Sequence, residues 1–131
     1  MIDIELWLPF PPSGNNYYVK TRTGVHISQK GKKYRASAAE SLSEQLGVFQ
    51  PIEDPILMEC IWYPPDKKRR DQDNFVGKAF FDAMTHGGLW LDDSQIVQSF
   101  IYKGEVDPGK AGMIYIRLSD GGPILPLSHR F

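Results

Sequence analysis

The sequence predicts an α+β fold, formed by a single domain with a mixed β-sheet and two main helices packed on one face. A length of 131 residues suits one domain. Short runs with the period of a β-strand alternate with two longer segments of helical periodicity. The hydrophobic fraction, 41%, and the charged fraction, 24%, are those of an ordinary globular domain and argue against a disordered chain.

The first 28 residues predict a strand, a turn and a hairpin. Apolar side chains alternate along residues 2–8, and prolines at positions 9, 11 and 12 end this strand because proline cannot donate a hydrogen bond to a sheet. Residues 13–16 have the composition of a turn. Residues 17–28, interrupted at Thr23-Gly24, predict a short hairpin.

Two segments are predicted to be helical. The first covers about residues 30–46, with Ser28 as its N-cap and Gly47 as its end. Its apolar residues lie four positions apart on one face: Tyr34, Ala38, Leu42 and Leu46. The second covers about residues 74–86 and ends at Gly87-Gly88. Its apolar face is formed by Val76, Ala79, Phe80, Ala83 and Met84.

Three further strands complete the predicted sheet, over residues 56–63, 95–103 and 112–118. We therefore expect a domain that spans residues 1–118. Residues 119–131 contain Gly121-Gly122-Pro123 and are expected to form a C-terminal loop or arm.

The composition also bears on the compartment. Cys60 is the single cysteine, which excludes an intrachain disulfide and a cysteine-based zinc cluster and suits a reducing compartment. Residues 1–12 lack the basic segment and apolar run of a signal peptide, and no apolar stretch reaches 18 residues. A cytoplasmic protein without a membrane span is expected.

Basic residues are concentrated in two places although the net charge is −1. Residues 17–39 contain six lysines and arginines and no acidic residue. A second cluster, residues 67–70, runs directly into Asp71 and Asp73. Two basic patches, the second ending on paired carboxylates, suit a polyanion held against a metal. The alternative is a solvated charged surface.

Carboxylates are candidates for a metal site. Asp71 and Asp73 are two residues apart, so in extended backbone they point the same way. Carboxylate oxygens are the ligands that Mg²⁺ prefers. The alternative role for this pair is capping of the following helix. Asp92-Asp93 is a second acidic pair, and its alternative is a solvated turn.

Taken together, these residues form an ordered series that resembles a known signature. The series comprises Arg69 to Asn74, Lys78, Asp82-Ala83 and Gly88 to Gln95. It closely resembles the core signature of the RusA-type Holliday junction resolvases. Pro11-Pro12-Ser13, Asn15 and Tyr17-Tyr18 resemble the N-terminal segment of that family. The resemblance covers about residues 8–103.

The resemblance implies a homodimeric endonuclease that nicks two strands of a four-way DNA junction symmetrically. It implies a Mg²⁺ site, in which Mn²⁺ can substitute, formed by Asp71, Asp73 and Asp93, with Asp92 as an alternative to Asp93. Lys78 falls on the catalytic lysine. In such a site the ion acts as a Lewis acid and lowers the pKa of a bound water, while the lysine offsets charge on the phosphate. Either recombination and repair or the processing of phage DNA is the expected setting, at the nucleoid.

DNA binding is expected to come from phosphate contacts and from stacking. The candidate residues are Arg70, Arg69, Lys68, Lys67, Lys32, Lys33, Arg35, Asn15, Tyr17 and Tyr18. Tyr17, Tyr18 and Phe10 would stack on unpaired bases at the junction centre, with ordinary packing as their alternative role. Apolar residues near Leu89-Trp90-Leu91 and on the helix before them are candidates for a dimer interface.

One departure from the family pattern concerns the spacing of Lys78. The family has two residues between the Asn and the Lys, whereas three residues, 75–77, separate Asn74 from Lys78 here. One extra residue turns a helical side chain by about 100°. A π-bulge at Gly77 would absorb it. Otherwise Lys78 is displaced and pairs with Asp82 on the surface.

Two other functions fit the same residues. One is a Mg²⁺-dependent nuclease that acts on flaps or other branched DNA. The other is a catalytically inactive DNA-binding protein that keeps a vestigial site.

Overall fold

The computed structural model describes residues 1–70 and 76–129, and within this part the chain forms six strands and three α-helices. The strands are β1 (Asp3–Pro9), β2 (Tyr18–Thr21), β3 (Gly24–Ile27), β4 (Ile56–Tyr63), β5 (Ile96–Lys103) and β6 (Met113–Asp120). The helices are α1 (Gly14–Tyr17), α2 (Gln29–Leu46) and α3 (Phe81–His86). A π-helical turn, Val76–Phe80, precedes α3, and a 3₁₀ turn, Asp93–Gln95, precedes β5.

Four of the strands form one mixed sheet, in the order β1-β6-β4-β5. Strand β6 is antiparallel to both β1 and β4, whereas β4 and β5 are parallel. A parallel pair requires a crossover, which here contains the π-helical turn and α3. Strands β2 and β3 form a separate hairpin. The predicted mixed sheet and hairpin are therefore confirmed.

One face of the sheet is buried and the other is open. Alternate residues of β4 and β6 are fully buried and join side chains of α2 and α3 in one core cluster. Examples are Cys60 and Ile116, which are partners in the β4–β6 register. The opposite face carries Trp7, whose side chain is 50% exposed, packed on Tyr115. Both main helices thus pack on one face, as predicted.

Helix α2 begins at Gln29, one residue before the predicted start, and ends at Leu46 as predicted. The hydroxyl oxygen of Ser28 accepts a hydrogen bond from the backbone N–H of Gly31 at 3.0 Å. Gly47 ends the helix with a positive φ of 66°, which glycine adopts without a steric cost. Tyr34, Ala38 and Leu42 are buried, so the predicted apolar face is confirmed.

The second predicted helix is not continuous. Residues 76–80 form the π-helical turn, and regular α-helix begins only at Phe81. A π-helical turn contains one residue more than an α-helical turn, so this geometry accommodates the extra residue of the sequence. Of the two alternatives that the sequence left open, the structure shows the π-helical geometry at Gly77.

Two further differences from the predicted elements are small. Ser13 caps the four-residue helix α1 by accepting a hydrogen bond from the N–H of Asn16 at 3.3 Å, where only a turn was expected. Strand β6 continues to Asp120, past the predicted end at residue 118. Its last residues pair with both neighbours, and the Asp120 carboxylate accepts a hydrogen bond from the N–H of Ile2 at 3.1 Å.

None of the helices that the structure describes is long and apolar enough to cross a bilayer.

Candidate metal and nucleic-acid site

The structure locates part of the predicted metal site. Asp71 and Asp73 lie outside the described residues, so the structure does not test their role as ligands. Arg70 is the last described residue before them and is half-buried. Lys78 lies in the π-helical turn with an exposed side chain, and Asp93 begins the 3₁₀ turn.

The 3₁₀ turn gives the two adjacent aspartates different roles. Asp92 is the N-cap, and its carboxylate accepts a hydrogen bond from the hydroxyl of Ser94 at 2.9 Å. The side-chain oxygen of Gln95 accepts from the N–H of Asp92 at 2.9 Å, which completes a capping box. Asp92 therefore holds the turn, whereas Asp93 is not a member of the capping box.

The charge around Asp93 suits a cation. Burial raises the pKa of the Asp93 carboxyl, and the neighbouring carboxylates of Asp92 and Asp82 raise it further. The hydrogen bond from Ser94 lowers the pKa of Asp92 instead. A divalent cation would relieve such repulsion and accepts oxygen ligands, although the described residues contain no group of three His, Cys, Asp or Glu side chains placed to hold one.

Asp82 is held by side chains from two other helices. The guanidinium of Arg35 on α2 donates to the Asp82 carboxylate from both Nε, at 3.1 Å, and Nη2, at 2.6 Å. The hydroxyl of Tyr17 donates to the same carboxylate oxygen, and the Arg35 Nε lies 2.8 Å from that hydroxyl. This Tyr17–Arg35–Asp82 cluster joins α1, α2 and α3 beside the acidic pair.

The backbones of α1 and α2 approach each other closely, and this contact supports the Tyr17–Arg35–Asp82 cluster. A Cβ atom on Gly31 would lie 2.5 Å from the carbonyl oxygen of Tyr17, so only glycine allows α2 to begin this close to α1. The Ser28 hydroxyl also donates to that carbonyl at 2.9 Å. The start of α2 is therefore fixed against the residue whose hydroxyl contacts Asp82.

The sequence did not single out Asp82 as a site residue. Its place within the ordered series, four residues after Lys78, was the available signal. The surface pairing of Lys78 with Asp82 was the expected alternative, whereas the structure pairs Asp82 with Arg35, 47 residues away in the chain. Sequence spacing alone does not indicate such a distant partner.

The predicted DNA-binding residues fall into two groups. Six have exposed side chains: Asn15, Lys32, Lys33, Lys67, Lys68 and Arg69. Tyr17 is fully buried, and Tyr18 is half-buried with its ring edge-on to Tyr17 at 4.8 Å. Stacking of Tyr17 on a base would require its ring to leave the core. A DNA contact of Arg35 would compete with its ion pair to Asp82.

The two basic segments converge on one pocket. Lys30 and Lys33 line it from α2, and Lys68 and Arg70 line it from the segment after β4. Residues 10–13 form part of its wall. The pocket therefore brings together charges that are more than 30 residues apart in the sequence.

Two of the candidate residues for a dimer interface, Leu89 and Trp90, are wrong. Leu89 and Trp90 are each only 1% exposed and belong to the core of the same chain. The indole N–H of Trp90 donates to the hydroxyl of Thr85 at 2.8 Å. Leu91 is 58% exposed and stays a candidate for an interface.

Comparison with known proteins identifies a family and several relatives. The family model described as "Endodeoxyribonuclease RusA" matches residues 9–118. The chain is 38% identical over 121 residues to "Crossover junction endodeoxyribonuclease RusA" of Escherichia coli strain K12, an alignment that covers 90% of this chain and 95% of the relative. It is 39% identical, with the same coverage, to the protein of that name from Enterobacteria phage 82. The protein of that name from Shigella sonnei is 38% identical.

Proposed function

The chain belongs to the RusA family of endodeoxyribonucleases, and on this basis we propose that it cleaves four-way DNA junctions by paired, symmetric nicks. The observation that carries the proposal is the family match across residues 9–118, which spans both the acidic pair and the π-helical turn. In this proposal the protein acts at the nucleoid in the cytoplasm of a bacterial or phage-infected cell. Its role there is recombination and repair or the processing of phage DNA.

Nucleases of this family generally need a divalent metal. Here Asp71, Asp73 and Asp93 would hold Mg²⁺, with Mn²⁺ as a substitute. When bound, the ion supplies Lewis acidity and lowers the pKa of a water ligand. The raised pKa of Asp93, which reflects burial and the neighbouring carboxylates of Asp92 and Asp82, supports Asp93 as one of these ligands because negative charge attracts a cation.

Lys78 is proposed as the catalytic lysine. Its ammonium group would offset the charge that develops on the phosphate oxygens during hydrolysis. The π-helical turn supports this role because it accommodates the residue that otherwise shifts Lys78 out of register with the family pattern.

Two features of the proposed complex follow from symmetry and charge. A four-way junction has near two-fold symmetry, so a homodimer would place one site on each of two strands. The DNA contacts would come from Arg70 and from five exposed basic residues of the two clusters, Lys32, Lys33, Lys67, Lys68 and Arg69, and binding would weaken steeply with salt.

Cleavage of defined DNA substrates tests the proposal. A labelled four-way junction, a flap and a linear duplex of equal length are incubated with the protein in Mg²⁺, Mn²⁺ or EDTA. We expect paired nicks in the junction with either metal and none in EDTA. Faster cleavage of the flap would favour a nuclease for other branched DNA, and binding without cleavage would favour an inactive DNA-binding protein.

The Asp73→Asn variant and the oligomeric state complete the test. Asp73→Asn should abolish cleavage and retain junction binding, because the amide is a poor substitute for a carboxylate ligand. Retained cleavage would remove Asp73 from the metal site. Light scattering at micromolar protein should return a dimer, and a monomer bound to the junction would contradict paired nicking.

A further inference from the structure

The pocket where the two basic segments converge has the features of a ligand site. It has a volume of about 540 Å³, within the range of roughly 300–1,000 Å³ that holds small ligands. Four cationic side chains line it: Lys30, Lys33, Lys68 and Arg70. No acidic residue is among the described residues that line it. Its electrostatic character therefore favours an anion.

The remaining wall of the pocket is mostly apolar, with Ser13 and Asn16 as polar members, and it is well supported. Phe10, Pro65 and Ala111 contribute to it. The hydroxyl of Tyr34, another lining residue, donates to the carbonyl of Pro9 at 2.8 Å, which fixes the end of β1. Gly112 packs so closely that an added Cβ would lie 2.9 Å from both Phe10 and Pro65. This wall is therefore held by contacts from three parts of the chain.

Arg70 is oriented before any ligand arrives. Its Nη1 donates to the Asp66 carboxylate at 2.8 Å, and its guanidinium lies 5.6 Å from the centre of the Phe10 ring. The Asp66 charge offsets that of Arg70, so the three lysines supply the excess positive charge. A guanidinium held over an aromatic ring forms a flat surface of the kind on which nucleic-acid bases stack.

A ligand that matches both the cationic side chains and the apolar part of the wall carries a phosphate and a planar ring. The lysines suit the phosphate, and the apolar wall with Phe10 suits the ring, which is the combination found in sites for single-stranded nucleic acid. A base that is paired and stacked within a duplex has no free face to offer such a wall. The chemistry therefore selects an unpaired nucleotide.

We propose that this pocket binds one unpaired nucleotide of the DNA strand that is cut. The inference rests on the proposed function, because Arg70 is followed directly in the chain by Asp71, a proposed metal ligand. A nucleotide in the pocket would lie close to the phosphate that is hydrolysed. Unpaired nucleotides become available where arms of DNA meet and not within a duplex, so the pocket would help the protein select branched DNA.

Fluorescence of a base analogue in metal-free buffer tests the pocket without cleavage. One four-way junction carries 2-aminopurine at the branch point and a second carries it in the middle of an arm. We expect binding of the protein to change the fluorescence of the branch-point probe and not of the arm probe. Equal responses from the two probes, or no response from the branch point, would overturn the proposal.

Substitutions assign the response to the pocket. Lys33 lies on the exposed surface of α2, so the Lys33→Ala variant should fold normally. It should remove most of the branch-point response and reduce the ratio of junction affinity to duplex affinity by about fivefold or more. Phe10→Leu should also remove most of the branch-point response and lower the ratio of junction affinity to duplex affinity. Arg117→Gln removes one positive charge from the open face of the sheet and should change neither quantity.

Outcomes for the variants separate this inference from the proposed function. An unchanged affinity ratio and an unchanged probe response in Lys33→Ala would overturn the pocket, whether or not Phe10→Leu folds. Normal metal-dependent cleavage of the junction with no branch-point response would overturn the pocket and leave the proposed function intact. A branch-point response that Lys33→Ala removes, in a protein that cuts no junction, would support the pocket and overturn the proposed function.

Discussion

Arg35 and Asp82 form an ion pair, with 2.6 Å between Nη2 and Oδ2, that links helix α2 to helix α3. Their side chains are 23% and 34% exposed, so water screens the pair only in part. Helix α3 directly follows the turn that carries Lys78. The pair therefore connects the basic surface of α2 with the part of the chain that holds the proposed catalytic lysine.

Replacement of Arg35 should destabilise the protein. We expect Arg35→Ala to lower the free energy of unfolding by about 1–3 kcal/mol, because it removes charged hydrogen bonds from a half-buried carboxylate. Urea unfolding measures this change. Lys32→Ala, at an exposed position of the same helix, should change the stability by less than about 0.5 kcal/mol. Equal stabilities of the two variants would contradict a structural role for the ion pair.

Asp92 and Asp93 should respond differently to substitution. Asp93→Asn is expected to reduce junction cleavage by at least about 100-fold while binding is retained, because a metal ligand is lost. Asp92→Asn keeps an oxygen that accepts from Ser94, so the turn and most of the activity should survive. Cleavage rates measured with saturating junction distinguish the two. A greater loss in Asp92→Asn would make Asp92 the ligand.

The loop between β5 and β6 should depend on Asp107, which is only 7% exposed. Its carboxylate accepts hydrogen bonds from the N–H groups of Gly109 and Gly112, both at 2.9 Å. Asp107→Ala leaves both donors unsatisfied, so we expect a loss of about 2–4 kcal/mol in the free energy of unfolding. Thermal or urea unfolding measures it. Glu105→Ala, at an exposed position of the same loop, is the control, and a similar loss there would refute the role of Asp107.

Alkaline pH should destabilise the protein through two buried tyrosines. Burial raises the pKa of Tyr17 and of Tyr34 above the ordinary value of 10.0. Above about pH 10, each tyrosine hydroxyl keeps its proton in the folded state, whereas the unfolded chain releases it. Its contribution to stability is therefore complete below about pH 10 and is lost as the pH rises beyond it.

Urea unfolding between about pH 8 and pH 11 measures this loss. Tyr34→Phe removes one ionisable group and should flatten the decline above about pH 10. Tyr102→Phe replaces an exposed tyrosine and should leave the slope unchanged. A decline that is the same in Tyr34→Phe as in the original protein would show that Tyr34 is not its source.

Local signals in the sequence predict most of the fold. The cap at Ser28, the stop at Gly47 and the alternation in β4 each depend on neighbouring residues, so periodicity and capping rules identify them. The count of residues before Lys78 indicated either a π-helical turn or a displaced lysine, and the structure shows the turn. Helix α1 was missed because four residues are too few to show a helical period.

Relationships between distant segments could not be predicted from the sequence. The partner of Asp82 lies on another helix, and the pocket combines two basic segments that only the folded chain brings together. Likewise, the sequence shows that Leu89 and Trp90 are apolar but not whether the chain's own core or a partner subunit covers them. In the structure both are buried in the chain's own core. Each of these depends on tertiary packing, which a single sequence does not display.

The π-helical turn has a consequence for how this part of the chain tolerates changes of length. Phe80, Ala83 and Met84 are anchored in the interior, so their orientation is set by the rest of the molecule. Removal of one residue before them would return the turn to ordinary α-helical winding, and the buried helix would keep its orientation. A gain or loss of one residue at this point can therefore be absorbed within the turn, without the rotation of about 100° that it would impose on the chain before a continuous α-helix.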